Sequence, residues 1–265
     1  MLLLAWQLVV AAGIVPNFLL PSPTQVVAAL ASDAALLADH AATTLAESVL
    51  GLLIGCAVGF AFAVLMDRFE IVYLAFSPLI TVSQTVPTVA IAPLLVLWLG
   101  YGLAPKVVLV VLTTFFPITV SLVSGFRSVD PDLIDLMRTM NATSAQIFWQ
   151  VKIPAAAEQF FSGLKISATY AIVGAVIAEW LGGFSGLGVY MTRVRKSFAY
   201  DRMFAVIALI SALSLALMGA CPGRGQKGSK HGLLDQAQQA VSERLRPRRR
   251  CPRCLGGARR LRDVR

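Results

Sequence analysis

The chain is poor in charge: Asp, Glu, Lys and Arg make up 14% of its 265 residues, and no Lys or Arg occurs before Arg68. Soluble domains carry about 25% charged residues, so an ordinary water-facing surface cannot be built from this composition. Histidine is scarcer still. His40 and His231 are the two in the chain, too far apart in sequence to suggest a shared metal or catalytic centre. No His-Glu-x-x-His, Gly-x-Ser-x-Gly or Walker sequence occurs, so neither zinc-protease, serine-hydrolase nor P-loop ATPase chemistry has residues to run on. Of four cysteines, Cys56 lies inside an apolar run, which excludes a disulfide framework. The absence of early basic residues also removes the positive n-region of a signal peptide, and the first apolar run is expected to be retained as a span.

Hydrophobic residues are what the chain has: 57% of the sequence, with a mean hydropathy of +0.74. They fall into uncharged runs at 2–20, 48–66, 71–99, 107–126, 166–178 and 203–218. A helix needs about 20 residues to cross the hydrocarbon. The fifth run extends back to Phe160 and the sixth begins beside Arg202, so about six membrane helices are expected. Pro16, Pro21 and Pro23 close the first, and residues 24–39 read as an amphipathic or surface helix. The third run is too long for one straight crossing and holds Pro78, Pro87 and Pro93, with Ser83, Gln84 and Thr85 between them. A broken helix is expected there, lined by protein or water that satisfies the freed backbone groups. Gly51, Gly55 and Gly59 recur every four residues and mark a face for close helix contact, either within the chain or with a second copy.

Between the fourth and fifth runs lies a polar insert, DPDLIDLMRTMNATSAQIFWQVKIP, at residues 130–154. Asp130 can cap a helix that starts at Pro131, and Asp132 then suits the positive end of the helix dipole. Leu133, Leu136, Met137 and Met140 follow at helical spacing as one apolar stripe. Asn141 interrupts the stripe at a position that tolerates left-handed backbone. Thr143 and Gln146 form a capping-box pattern opening a second helix, which Pro154 is expected to end. The expected product is a helix-turn-helix outside the bilayer. Two uses fit it: docking of a partner, or an amphipathic helix resting on headgroups.

This insert resembles the coupling loop of ABC-importer permeases, whose pattern is Glu-Ala-Ala, three residues, Gly, nine residues, Ile, one residue, Leu-Pro. The matching positions here are Asp135, Leu136 and Met137, then Asn141, followed by Val151 and Ile153-Pro154. Asp replaces Glu, Leu and Met replace the alanines, and Asn replaces Gly. The phrase QTVPTVAIAPLLVLWLGYG, residues 84–102, resembles the third span of the nitrate, sulfonate and taurine branch of these permeases. Residues 178–207 resemble the members that carry pyrimidine or riboflavin-type vitamin precursors.

The resemblance implies an all-α integral membrane protein with a cytoplasmic coupling helix-turn-helix, in the bacterial inner membrane with both termini cytoplasmic. Its implied partners are ABC ATPase subunits, a solute-binding protein, a second permease copy and membrane lipid, with no nucleic acid and no cofactor of its own. Residues Asp135, Leu136, Met137, Asn141, Ala142, Val151, Ile153 and Pro154 would dock the ATPase. Ser83, Gln84, Thr85 and Glu179 are candidate pathway residues, since a carboxylate at the depth of Glu179 is costly unless it faces protein or water. An interfacial place beside Trp180 is the other reading of Glu179. The alternative from a different class is a secondary transporter or channel without an ATPase; such proteins commonly pair two broken helices, and one is visible here.

Charge does not fix orientation. Arg68, Arg127, Arg138, Lys152 and Lys165 would lie on the coupling side, against Lys106, Arg193, Arg195, Lys196 and Arg202 on the other. From residue 220 onward the chain carries thirteen basic and three acidic residues, against ten and eleven before it. All the basicity behind the pI of 9.8 thus belongs to a tail, 220–265, expected to be disordered beside a transmembrane domain at 1–219. Contact with anionic lipid, a nucleic-acid arm, a zinc half-site at Cys251 and Cys254, and translation of a shifted reading frame are its competing readings.

Overall fold

The computed structural model describes Trp6, Gln7, Val10, residues 20–83 and residues 85–221. The first apolar run lies almost wholly outside the described residues, as do Gln84 and the tail from residue 222. Among the described residues the regular structure is helical throughout. Helix α1 spans Pro23–Ser32, α2 Ala34–Arg68, α3 Glu70–Ser83, α4 Thr88–Leu99 and α5 Leu103–Arg127. Next come α6 (Pro131–Thr139), α7 (Ser144–Ile147), a π turn (Phe148–Lys152), α8 (Ile153–Gly182), α9 (Leu187–Lys196) and α10 (Tyr200–Ala220).

Among the described residues, four continuous helical segments are long and apolar enough to cross a membrane: Ala34–Arg68, Leu103–Arg127, Ser144–Gly182 and Tyr200–Ala220. The run with three prolines is broken as expected, α3 and α4 meeting at 99° and making a fifth span if the pair is counted as one. The sixth expected span is the run outside the described residues. Two boundaries differ from expectation. Residues 24–39 do not form one surface helix: the chain turns at Asp33, and α2 then runs unbroken for 35 residues into the second apolar run. The second helix of the polar insert does not stop at Pro154. Proline breaks an α-helix because it lacks an N–H and its ring strikes the carbonyl four residues back. Here the preceding π turn widens the ladder, Ile153 bonding the Phe148 carbonyl five residues back, and Pro154 falls in the first turn of α8. The helix therefore continues from the insert straight into the membrane.

Helix α5 is the centre of the bundle, packed between α8 and α2. Its Val110, Ile118, Leu122 and Phe126 are buried against Ala63 and Met66 of α2 and Ala156, Ala168, Ala171 and Ala175 of α8, and its Leu109 against Ala92 and Leu95 of α4 and Ala178 of α8. Lipid tails are as apolar as leucine, so association here depends on close packing of small residues. The glycine stripe of α2 supplies it within the chain: a Cβ at Gly51 would strike Val110, and one at Gly55 would overlap the Thr114 side chain. Short helix α9 lies past the end of α8. It buries Leu187, Tyr190 and Val194 with Leu37 of α2 and Val206 of α10.

Candidate functional site

Two groups of residues stand at opposite ends of the bundle, because α8 starts at the polar insert and ends at the glycine-rich loop before α9. At the insert end, the Asp130 carboxylate accepts from the Asp132 N–H at 3.0 Å and starts α6. The helix stops at Asn141, whose φ is 63°. Asn141 N–H returns to the Arg138 carbonyl at 2.9 Å and Ala142 N–H to that of Met137 at 3.0 Å. These are the two bonds of a Schellman stop. Thr143 then caps α7, accepting from Gln146 N–H while its own N–H donates to Gln146 Oε1 at 2.8 Å.

No residue of α6 is buried. Leu133, Leu136 and Met140 are exposed along its stripe, Met140 by 72%, and Met137 is half-buried. Asp135 pairs only with Arg138 of its own helix among the ion pairs of this segment, at 3.2 Å on the surface. Past the turn, Trp149 is exposed, while Ile147 is buried and the Phe148 ring meets Phe126 at 5.5 Å. Val151 and Ile153 are half-buried and Pro154 is exposed. An open cleft of about 480 Å³ lies between the insert and α2, lined by Val64, Asp67, Ile134, Trp149 and Lys152 among others.

At the other end, Glu179 is 1% exposed, so the interfacial reading of its side chain does not describe it. Its Oε1 accepts from the Thr44 hydroxyl at 2.7 Å and its Oε2 from the Gly188 N–H at 2.6 Å. Thr44 Oγ1 in turn accepts the Leu187 N–H at 2.9 Å, and His40 Nδ1 accepts the Gly186 N–H at 3.0 Å. An imidazole that accepts at Nδ1 carries its proton on Nε2. Three successive N–H groups at the start of α9, which its own helix cannot satisfy, are thereby held by side chains of α2 and α8. Gly186 has φ 120°, and a Cβ there would collide with the Glu179 carboxylate. Beside this group Lys106 donates to Glu47 Oε1 at 2.6 Å and to the Ser185 carbonyl at 3.3 Å, in an ion pair almost fully withdrawn from solvent. The outer rim is closed by Tyr190, whose hydroxyl donates to Asp33 at 2.6 Å while Arg202 pairs with the same carboxylate. Burial, and then the bond to Asp33, push the Tyr190 phenol up to about 12.

Ser83 and Thr85 are elsewhere, at the α3–α4 break. Their hydroxyls donate to the Ile80 and Val82 carbonyls, both at 2.7 Å, and the Val82 carbonyl also accepts the Thr85 N–H at 3.0 Å. Gln84 lies outside the described residues. His40, Thr44, Glu47 and Lys106 were not singled out from the sequence as site residues. A signal existed: His40, Thr44, Glu47 and Gly51 follow at i, i+4, i+7 and i+11, so a polar stripe continues the glycine stripe on one face of α2.

The family of binding-protein-dependent transport system inner membrane components matches residues 48–221. The chain belongs to this family. It is 39% identical to a probable ABC transporter permease protein of Haemophilus influenzae over 216 residues, 82% of this chain and 88% of that protein. It is 38% identical to a formylaminopyrimidine transport permease protein of Halalkalibacterium halodurans over 216 residues, 81% of this chain and 86% of that protein. In fold it is similar to a solved inward-facing MetNI methionine ABC transporter chain. That likeness has a TM-score of 0.63 at 19% identity and covers 78% of this chain and 96% of that one. As a family member the chain is a multi-pass inner-membrane permease subunit of an ABC importer and is not itself an enzyme. The secondary-transporter alternative is set aside on that ground.

Proposed function

We propose that residues 135–154 are the seat of a separate ATPase subunit and that this end of the bundle faces the cytoplasm. The observation that carries the reading is α6 itself, a helix with no buried residue and an apolar stripe turned outward. Amphipathic helices of this kind insert into grooves of partner proteins. Asp135, Leu136 and Met137 supply the contact. Asn141 and Ala142 fix the turn, and Val151, Ile153 and Pro154 join the seat to α8. Two permease copies with two ATPases and an external solute-binding protein form the working importer. Nucleotide and loaded binding protein each favour one of two arrangements of the spans. Ser83, Gln84 and Thr85 contribute to the pathway, and Glu179 holds the loop at its outer mouth.

For the solute, the similarity to a formylaminopyrimidine permease supports a small planar vitamin precursor, with a sulfonate or taurine-type anion next in order. Replacing Asp135 by Lys together with Met137 by Asp is expected to abolish copurification of the ATPase while membrane insertion stays normal. Full copurification and uptake in that variant would overturn the docking assignment. Uptake of radiolabelled formylaminopyrimidine by the intact importer, competed by excess taurine in a parallel arm, decides between the two solute classes.

A further inference from the structure

The docking segment touches the rest of the molecule through few fixed points. Its helix α6 stands clear of the core, and a cleft separates the segment from α2. Across that cleft, Lys152 Nζ reaches both carboxylate oxygens of Asp67, at 2.6 and 2.9 Å, between residues 85 positions apart. The two side chains are 21% and 11% exposed, so water screens this pair far less than the surface pair Asp135–Arg138. Asp67 stands two residues before Phe69, where α2 ends in extended backbone with φ −122° and ψ 106°. Immediately beyond, Glu70 at the start of α3 is tied to Arg127 at the end of α5, and the Arg127 guanidinium lies 3.6 Å from the centre of the Tyr73 ring. The joint between α2 and the bent α3–α4 pair is therefore gripped from both sides, by the docking segment through Asp67 and by α5 through Glu70.

We propose that the Asp67–Lys152 ion pair is the positioning contact that carries movement of the docking segment to the α2–α3 joint, and so to the broken helix. The proposal rests on the docking reading. A displaced α6–α7 segment drags Lys152 in the π turn, and the paired carboxylate draws the end of α2 with it. Without the pair, the segment moves across the cleft while α2 stays where its core packing holds it. Removing one partner also leaves the other charge half-buried and unmatched, whereas exchanging the two charges keeps the attraction.

The test uses the full chain assembled with its ATPase and solute-binding protein in nanodiscs, with Cys56, Cys221, Cys251 and Cys254 replaced by Ser. Tyr101, 73% exposed at the far end of α5, is replaced by Cys and its labelling by a charged maleimide is timed with and without ATP and vanadate. The parent protein is expected to change its labelling rate several-fold on nucleotide trapping. Asp67→Asn is expected to lose most of that response while retaining the ATPase on copurification, and the exchange Asp67→Lys with Lys152→Asp is expected to restore it. An undiminished response in Asp67→Asn, failure of the exchange to restore it, or loss of the ATPase from Asp67→Asn would each overturn the proposal. So would an unresponsive parent. Failure of the docking reading has a different signature, an ATPase that stays bound when Asp135 and Met137 are replaced.

Discussion

Removing the Thr44 hydroxyl isolates the group that holds α9 on the bundle. Thr44→Val keeps the shape of a side chain with no exposure and deletes the bond donated to Glu179 at 2.7 Å, the one accepted from Leu187 N–H at 2.9 Å, and the longer contact with the His40 carbonyl of its own helix at 3.1 Å. In soluble proteins a hydrogen bond to a charged group contributes about 1.5–3 kcal/mol, and a buried donor left unmatched costs about 1–3 kcal/mol. Between membrane helices the average is lower, about 0.6 kcal/mol with a maximum near 1.7, because polar groups find other partners in the lipid-embedded unfolded state. The membrane scale governs the Thr44–Glu179 bond, which joins α2 to α8. The Leu187 N–H belongs to a tight loop with no second acceptor within its own helix, so its loss adds to that figure. Thr44→Val is expected to cost about 2 kcal/mol, with Thr44→Ser close to the parent. Because Thr44 and Glu179 share a bond, the double variant with Glu179→Gln should fall short of the sum of the singles by about 1 kcal/mol. Reversible unfolding in mixed micelles, followed by the fluorescence of Trp180 next to the site, measures the parent and all four variants. Strict additivity, or a Ser variant as damaged as the Val variant, would refute the claim that this hydroxyl joins the two helices.

Glu179→Gln alone should lower uptake at normal insertion and with the ATPase still bound, since a single amide can no longer accept from both Thr44 and Gly188; parental uptake kinetics would show that the loop between α8 and α9 need not be held. Truncation after Gly219, with two or three lysines added to retain the positive end of α10, should leave insertion and uptake intact. If the shortened chain inserts but does not transport, the basic tail has a role of its own, and vesicles with and without anionic lipid separate lipid contact from zinc at Cys251 and Cys254.

How much of this was legible in the sequence depended on whether a feature is local. The apolar runs place the spans because a helix crossing lipid must satisfy every backbone group within itself. Pro87 marks the break between α3 and α4, whereas Pro78 and Pro93 lie inside those helices without ending them. Asp130, Asn141, Thr143 and Gln146 act on backbone within four residues of themselves, and each makes the bond its type suggests. Pro154 misleads because the π turn before it, an adjustment of the ladder that no residue type announces, lets the helix pass. Lys106 and Glu47 look like ordinary charged residues near span ends, and only their meeting across 59 positions shows them as a buried pair. Glu179 stands out on depth alone, yet what it holds could not be read, since the N–H groups of Gly186, Leu187 and Gly188 gain meaning only when α2 is packed beside them.

The docking of the ATPase on the polar insert is tested most directly by photo-cross-linking from single positions in the assembled importer. A benzophenone amino acid placed at Leu136 on α6 or at Met140 just past its end, both exposed, is expected to capture the ATPase subunit. The same group at Phe184, 82% exposed at the opposite end of α8, is expected to capture none of it. ATPase adducts from Phe184 with none from Leu136 or Met140 would contradict the account.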